Sequence, residues 1–231
     1  MNLPSRLFPI LAGIGLFGAA LTVLEPAALA AEEAKIIPAP KLKAAESGKQ
    51  AVAIFAGGCF WGVEGVFSHI KGVKSAVSGY HGDGKSNATY DEVSSGSTRH
   101  AEAVRVVYDP SQVSYGQLLQ VFFSVVADPT TLNRQGPDSG TQYRTALVPV
   151  GKSQAQVARA YIAELDKSGA WKRKIVTAVE PYKAFYPAET YHQDFMFKNP
   201  AHPYIVRWDA VKVSNLKRTF PALYIAKPVR G

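Results

Sequence analysis

The chain reads as an α+β protein with a ferredoxin-like split β-α-β core, a two-layer α/β sandwich, followed by an extended, irregular C-terminal tail. Three observations predict this. Between Ala51 and Val150 the hydrophobic pattern runs strand, helix, strand, strand, helix, strand. The 231 residues are 47% hydrophobic, enough for one sizeable core and too few for two full domains. Beyond Glu180 the chain is dense in proline and aromatic residues, so it is expected to wrap the core with short turns.

The elements follow in order. Ala51–Ala56 is a short, continuously apolar run, as a buried strand requires. Gly57-Gly58 permits a sharp turn. A helix over Trp61–Ile70 turns Val63, Val66, Phe67 and Ile70 inward. Lys74–Tyr80 is the second strand, followed by the glycine-rich loop of Gly79, Gly82 and Gly84. The long polar stretch Ser86–Arg99 is expected to be irregular and is a candidate functional loop. Ala101–Tyr108 is the third strand, closed by Asp109-Pro110. Ser114 is the expected N-cap of an amphipathic helix over Tyr115–Val126. A second polar loop covers Thr130–Gln142, Tyr143–Val150 is the fourth strand, Ser153–Lys167 a helix ending at Ser168-Gly169, and Val176–Val179 a fifth strand.

Ahead of this core the N-terminus has the organisation of an export signal. Arg6 and the α-amino group precede an uncharged, mostly apolar run from Leu7 to Leu24, and Ala28-Leu29-Ala30 has a small-x-small cleavage pattern. The expected organisation is a signal peptide at 1–30, a flexible linker at 31–50 and a single catalytic domain at 51–231, its tail starting near residue 180. The expected location is outside the cytoplasm, in the periplasm. The alternative is an uncleaved membrane anchor formed by residues 7–24, which are near the minimum length of a span.

The net charge of +8 lies entirely in residues 151–231, since residues 1–150 are balanced. Such an excess reads as a solvated basic surface, or as weak attraction to an anionic membrane or polymer through the tail segment Lys212–Arg218. No basic run interleaves with aromatics, so no nucleic-acid partner is expected. Five scattered histidines and one cysteine lack ligand spacing, so no metal site is expected.

That single cysteine, Cys59, stands where a strand hands over to a helix, behind two glycines and before Phe60-Trp61. Exported chains meet an oxidising compartment, and a lone cysteine cannot pair within its own chain. At a helix N-terminus, free amides and the macrodipole favour the thiolate, the reactive form. Phe60 and Trp61 would form an apolar wall beside the sulfur, suited to a small group such as a methyl. The alternative is a buried, inert cysteine at a packed turn. Taken alone, Glu102 reads as an exposed strand carboxylate, Tyr80 and Tyr143 as core-edge tyrosines, and Asp138 as a turn residue.

Gly58-Cys59-Phe60-Trp61-Gly62-Val63-Glu64 resembles the active-site signature of the type A peptide-methionine sulfoxide reductases. Further stretches resemble blocks of that family in the same order: Ser78-Gly79-Tyr80, Arg99–Val104, Asp109-Pro110, Leu118–Phe123, Asp128–Gly136, Gly140–Arg144 and Tyr191–Asp194. The resemblance runs from about Val52 to Tyr204. It implies that the Cys59 thiolate attacks the sulfoxide sulfur while Glu102 protonates the oxygen. It also implies that Tyr80 and Tyr143 hydrogen-bond that oxygen, that Asp138 assists indirectly or through water, and that the methyl rests on Phe60 and Trp61. Cys59 would be left as a sulfenic acid. A glutamate on an otherwise apolar strand fits the acid's role, because burial raises a carboxyl pKa. His100 is expected to be supporting rather than catalytic.

Many relatives carry recycling cysteines, whereas this chain has Val93-Ser94-Ser95-Gly96 at one favoured place and none in its tail. The expected cofactor is therefore none bound, with an external reductant: a thioredoxin-like protein, a glutaredoxin-like protein or a small thiol such as glutathione. The expected substrates are oxidised proteins or free methionine sulfoxide, and the expected state is a monomer. Pro137, where many relatives have asparagine, leaves the orientation of Asp138 open, and Ala127 replaces a frequent histidine. Two other readings stand beside this one: a thiol hydrolase or transferase using His100 or His192 as base, and an exported binding module acting through the basic tail.

Overall fold

A computed structural model describes residues 33–231; the expected signal peptide, and the anchor that is its alternative, lie outside the described residues. The first elements are β1 (Ala51–Gly57), α1 (Phe60–Ser68), β2 (Val73–His81), α2 (Tyr90–Ser94), β3 (Ala101–Tyr108) and α3 (Tyr115–Val121). A small hairpin of β4 (Arg134–Gln135) and β5 (Asp138–Ser139) follows, then β6 (Thr145–Val148) and α4 (Lys152–Ser168). The chain continues through β7 (Ala178–Val179), β8 (Phe185–Pro187), α5 (Phe195–Lys198) and α6 (Ala210–Thr219).

The main sheet has the order β7-β6-β1-β3-β2-β8. Its four inner strands are the expected split β-α-β core. β1 lies antiparallel between β3 and β6, and β2 is antiparallel to β3. β7 joins one edge in parallel and β8 the other edge antiparallel. β1 is continuously apolar because it is central and both its faces are covered. Ala53 and Phe55 enter the large core under the helices, while Ile54 and Ala56 meet Ala101, Ala103, Ala146 and Val148 on the opposite face. Phe55 stacks on Phe67 of α1 at 4.6 Å and on Phe122 at 5.5 Å. Val63, Val66, Phe67 and Ile70 are all buried, as the helical period of that segment predicts.

Strand alternation decides what reaches the site. In β3, Val104, Val106 and Tyr108 point into the large core and Ala101 and Ala103 away from it, so Glu102 lies on the helix-covered face. The same period in β2 puts Ala76, Ser78 and Tyr80 on that face, and Tyr80 pairs across the ladder with Glu102.

Ser114 caps α3 as expected, in a reciprocal capping box with Gln117. The helix continues as a π-helical turn, Phe122–Val126, with all five residues buried. α4 ends at Gly169, whose φ of +71° is the left-handed conformation that a glycine supplies.

Four expectations are corrected. First, residues 33–50 are not a free tether. Pro38 and Pro40 hold an extended strap whose polar groups are taken up by the helices. Lys35 N–H donates to Ser124 O at 2.9 Å, Gln120 Nε2 to Ile37 O at 2.7 Å, and Tyr161 Oη to Pro38 O at 2.6 Å. Ile37 is buried, and the Glu46 carboxylate accepts from Tyr108 Oη and from the Tyr115 amide, the latter at 3.1 Å. Second, the tail is not only extended: α6 and a π-helical turn at Ile205–Asp209 pack on α1, with Leu216 in the core. Third, the stretch at 86–99 contains α2, capped by Thr89, whose side chain accepts from the Glu92 amide. Fourth, Tyr143 precedes β6 and lies in a 3-10 turn, Thr141–Tyr143.

The strap gives a test of stability. Glu46→Ala removes the acceptor of two largely buried donors, so urea unfolding should show a loss of about 1–3 kcal/mol. An unchanged midpoint would mean that the strap contributes nothing to the fold.

Candidate active site

The turn between β1 and α1 is built from close approaches. A Cβ on Gly57 would lie 2.8 Å from the Phe122 ring, and one on Gly58, at φ +87°, would lie 2.5 Å from the Gln135 Cβ. Gln135 is itself fixed, its amide donating to Asp128 O and its oxygen accepting from Asp128 N–H. Cys59 is the N-cap residue of α1, but its side chain caps nothing and keeps a partly exposed surface. The Phe60 amide donates instead to Glu102 Oε2 at 2.9 Å.

Cys59 opens onto a cavity of about 230 Å³ lined by Phe60, Trp61, Tyr90, Glu102, Asp138, Tyr143, His202 and Tyr204. Glu102 is buried, and burial raises its pKa to about 8, with Asp138 and Asp209 adding to the rise against the Phe60 amide. It therefore holds a proton at neutral pH. The thiol of Cys59 is also pushed well above its ordinary pKa, first by burial and then by Glu102, Asp209 and Asp138. The Trp61 amide opposes this as a hydrogen-bond donor to the sulfur. The helix terminus alone does not make a resting thiolate, contrary to the expectation from its position: burial of the sulfur, with the neighbouring carboxyls adding to it, outweighs the helix end.

Of the sequence-predicted residues, Cys59, Phe60, Trp61, Glu102, Asp138 and Tyr143 meet in this one cavity. Pro137 does not turn Asp138 away. Asp138 sits on β5, reaches the cavity and accepts a short hydrogen bond from Tyr204 Oη. Trp61 is fixed by its Nε1–H to His192 Nδ1 at 3.0 Å and by a 3.7 Å stack on Phe195.

Tyr80 does not line the cavity, which corrects its expected role. It is fully buried against Phe60, and its hydroxyl donates to Glu189 Oε2 at 2.8 Å. The other oxygen of Glu189 accepts from the Tyr90 amide at 2.9 Å, and Tyr90 at the start of α2 is the tyrosine that faces Cys59. The Thr89-x-x-Glu92 capping pattern could have disclosed α2 and so pointed to Tyr90. Tyr204 and His202 carry no local signal; they arrive through the path of the tail.

His100 supports, as expected. It is buried, it accepts from the Asp83 amide through Nδ1, and its Nε2 lies 3.0 Å from Gly84 O, holding the glycine-rich loop outside the cavity. His192 has its Nδ1 occupied by Trp61, and burial lowers its pKa. Neither histidine is placed to act as base for Cys59. Within the basic tail, Lys212 turns inward, its Nζ 3.9 Å from Oδ1 of the buried Asp209. Among the described residues no group of three or more His, Cys, Asp or Glu is arranged to hold a metal ion.

A lone thiol, a neutral buried carboxylic acid and phenols around one apolar cleft define a thiol-dependent enzyme built on a ferredoxin-like core. The model of the family described as "Peptide methionine sulfoxide reductase" matches residues 51–222. A Mesorhizobium japonicum protein, "Peptide methionine sulfoxide reductase MsrA 2", is 60% identical over 177 residues, 77% of this chain and 91% of that protein. A Synechocystis protein of the same description is 51% identical over 168 residues, 73% of this chain and 78% of the relative. Among solved structures, reduced Mxr1 from Saccharomyces cerevisiae aligns with a TM-score of 0.59 at 33% identity, covering 73% of this chain and 94% of that one. Methionine sulfoxide reductase A of Corynebacterium diphtheriae aligns at 0.58 and 33%, covering 76% and 89%. The chain belongs to the type A peptide methionine sulfoxide reductase family, oxidoreductases that reduce methionine sulfoxide.

The buried acids set a pH dependence of stability. Glu102, Glu64 and Asp209 hold protons in the fold up to about 8, 7 and 7, whereas unfolded they ionise near 4.5, 4.5 and 3.8. Their raised pKa values make stability fall as pH rises through those folded values. His69, His81 and His192, with lowered values, act oppositely but only below about 6.5. Melting temperature should therefore fall between pH 6.5 and 8, and Glu102→Gln should flatten the slope. A melting temperature that rises across this interval would contradict the neutral buried carboxyls.

Proposed function

We propose that this chain reduces the S epimer of methionine sulfoxide, free or in oxidised proteins, with Cys59 as nucleophile and Glu102 as acid. The observation that carries this reading is the shared cavity, in which the sulfur faces a carboxyl kept protonated to about pH 8. The sulfoxide methyl rests on Phe60 and Trp61. Its oxygen lies among Glu102, Tyr90 and Tyr143, and Tyr90 takes the place first given to Tyr80. As Glu102 donates its proton to that oxygen, the Cys59 sulfur bonds to the sulfoxide sulfur and its thiol proton passes to the Glu102 carboxylate, which is thereby restored. The oxygen then passes to Cys59, giving Cys–SOH, and methionine leaves as the thioether, reduced by two electrons. Asp138, held by Tyr204 at the wall of the cavity, assists through water or through its neighbours.

Cys59 is the only cysteine in the 231 residues, so the second half of the cycle takes its electrons from outside. A thiol of a thioredoxin-like or glutaredoxin-like protein, or a small thiol such as glutathione, condenses with Cys–SOH to a mixed disulfide and water. A second thiol then releases Cys59 and leaves as the disulfide. The enzyme works after export, with residues 1–30 removed.

Three substitutions test the roles. With a peptide methionine sulfoxide as substrate, Glu102→Gln should lower kcat/KM by about 10²–10⁴-fold. Tyr90→Phe should lower kcat by roughly 10²-fold, while Tyr80→Phe, which removes no contact to the oxygen, should cost far less. Equal losses in the two tyrosine variants would sink the reassignment. Mass spectrometry after one turnover without reductant should find a gain of one oxygen on Cys59; unmodified Cys59 beside released methionine would overturn the mechanism. For export, the intact mass of secreted protein should correspond to a chain starting at Ala31, and a mass that retains Met1 would refute cleavage.

A further inference from the structure

A second cavity, of about 350 Å³, lies along α1 on the side of the tail. It is larger than the catalytic cleft, and Trp61 is a wall of both. Its floor is the face of α1 that carries Gly65 and Ser68, and its sides are Met196, Val213 and Val229. Gly65 keeps that floor low, since a Cβ there would lie 2.4 Å from Met196 Cε. At its edge Phe197 is more than half exposed, an aromatic left on the surface beside an apolar hollow.

Most polar groups of this cavity are already engaged, and at its edge the Arg230 guanidinium lies over the Phe197 ring and 4.0 Å from Asp194 Oδ1. The Glu64 carboxylate accepts from Ser78 Oγ at 2.6 Å and from the Asp194 amide at 2.9 Å, and Ser68 Oγ donates to Gly65 O. What remains open is apolar, so the cavity suits a hydrocarbon side chain and offers little to a charged or strongly polar ligand. Trp61 borders both hollows, so a chain held in the catalytic cleft by its sulfoxide can extend into this one. A free methionine sulfoxide is used up within that cleft. A polypeptide carries further side chains on either side of the sulfoxide.

We infer that this cavity is a second substrate subsite, which receives an apolar side chain of the oxidised polypeptide one or two residues from the methionine sulfoxide. The inference rests on the function proposed above. Trp61 then borders both sites: it bounds the sulfoxide cleft, and together with Phe195, stacked on it, it forms one wall around the neighbouring side chain. The subsite favours oxidised segments from protein interiors, in which methionine is flanked by apolar residues, over sulfoxides in polar surface loops.

The test uses the full chain and hexapeptides with one methionine sulfoxide in serine, a single leucine being moved through the two positions on either side. At one of these positions leucine should raise kcat/KM by about tenfold over serine. Val213→Phe fills the cavity and should bring that ratio close to one, with turnover of N-acetyl-methionine sulfoxide unchanged. Phe197→Ala, at an exposed rim position that tolerates truncation, should reduce the ratio in the same direction. A ratio near one at all four positions in the unaltered enzyme overturns the subsite, as does a ratio that survives in both variants. An unchanged ratio with a raised KM for thioredoxin in Val213→Phe would assign the cavity to the reductant and overturn it too. Failure of the unaltered enzyme to turn over N-acetyl-methionine sulfoxide would instead remove the function on which the subsite rests.

Discussion

The hydrogen bond from the Phe60 amide to Glu102 is the contact around which the site is arranged. It joins the first turn of α1 to the end of β3, the strand that pairs with β1. Only Gly58 and Cys59 lie between β1 and α1, so the sulfur has little freedom once the strand and helix are placed. The β1–β3 ladder then brings the acid to the sulfur through paired backbone rather than through a loop. Cys59 and Glu102 are thus both placed by paired strands and the short turn that leaves β1. The same carboxyl satisfies an amide that no helical partner could reach.

Around this contact the electrostatics work against easy ionisation. Glu102, Asp138 and Asp209 all raise the pKa of the thiol, and each is itself raised by burial. Asp209 is fully buried, with neither oxygen hydrogen-bonded, and Lys212 lies 3.9 Å away as its partial counter-charge. Buried carboxyls of this kind destabilise a fold above their unfolded pKa. Here they set a carboxyl protonated to about pH 8 beside a sulfur whose own pKa is raised. Stability is surrendered at the place where an acid is needed, which is where raised carboxyl pKa values tend to occur.

The rest of the cleft depends on the tail. Glu189 holds the Tyr90 amide with one oxygen and Tyr80 with the other, so Tyr80 reaches the cavity indirectly, through Tyr90 and through its packing on Phe60. His192 and Phe195 fix the indole of Trp61, and Tyr204 fixes Asp138. The Ser78–Glu64–Asp194 bonds and the Gln193 amide tie this tail to α1 and β2. The strand core thus carries the reacting pair, and the tail completes the walls.

The sequence by itself determined the core and the place of the lone thiol. The period of 51–150 prescribes the strand and helix order, Ser114 the cap of α3, and Gly57-Gly58-Cys59 the sharp turn, because these are local consequences of backbone sterics and side-chain spacing. Resemblance added Glu102, Tyr143 and Asp138, which meet at Cys59 in space. The tertiary structure alone decided between Tyr80 and Tyr90. Both are tyrosines near glycine-rich or polar stretches, and only the ladder pairing of β2 shows that Tyr80 faces the interior. It alone showed that residues 33–50 are a strap, since their donors and acceptors find partners on α3 and α4, far away in the chain. The placement of Tyr204, Asp209 and Lys212 beside the sulfur likewise follows from how the tail crosses α1. Contacts between segments this far apart in the chain, 66 residues for Tyr204 and Asp138 and 123 for Pro38 and Tyr161, leave no period or spacing behind, so no local pattern could have carried them.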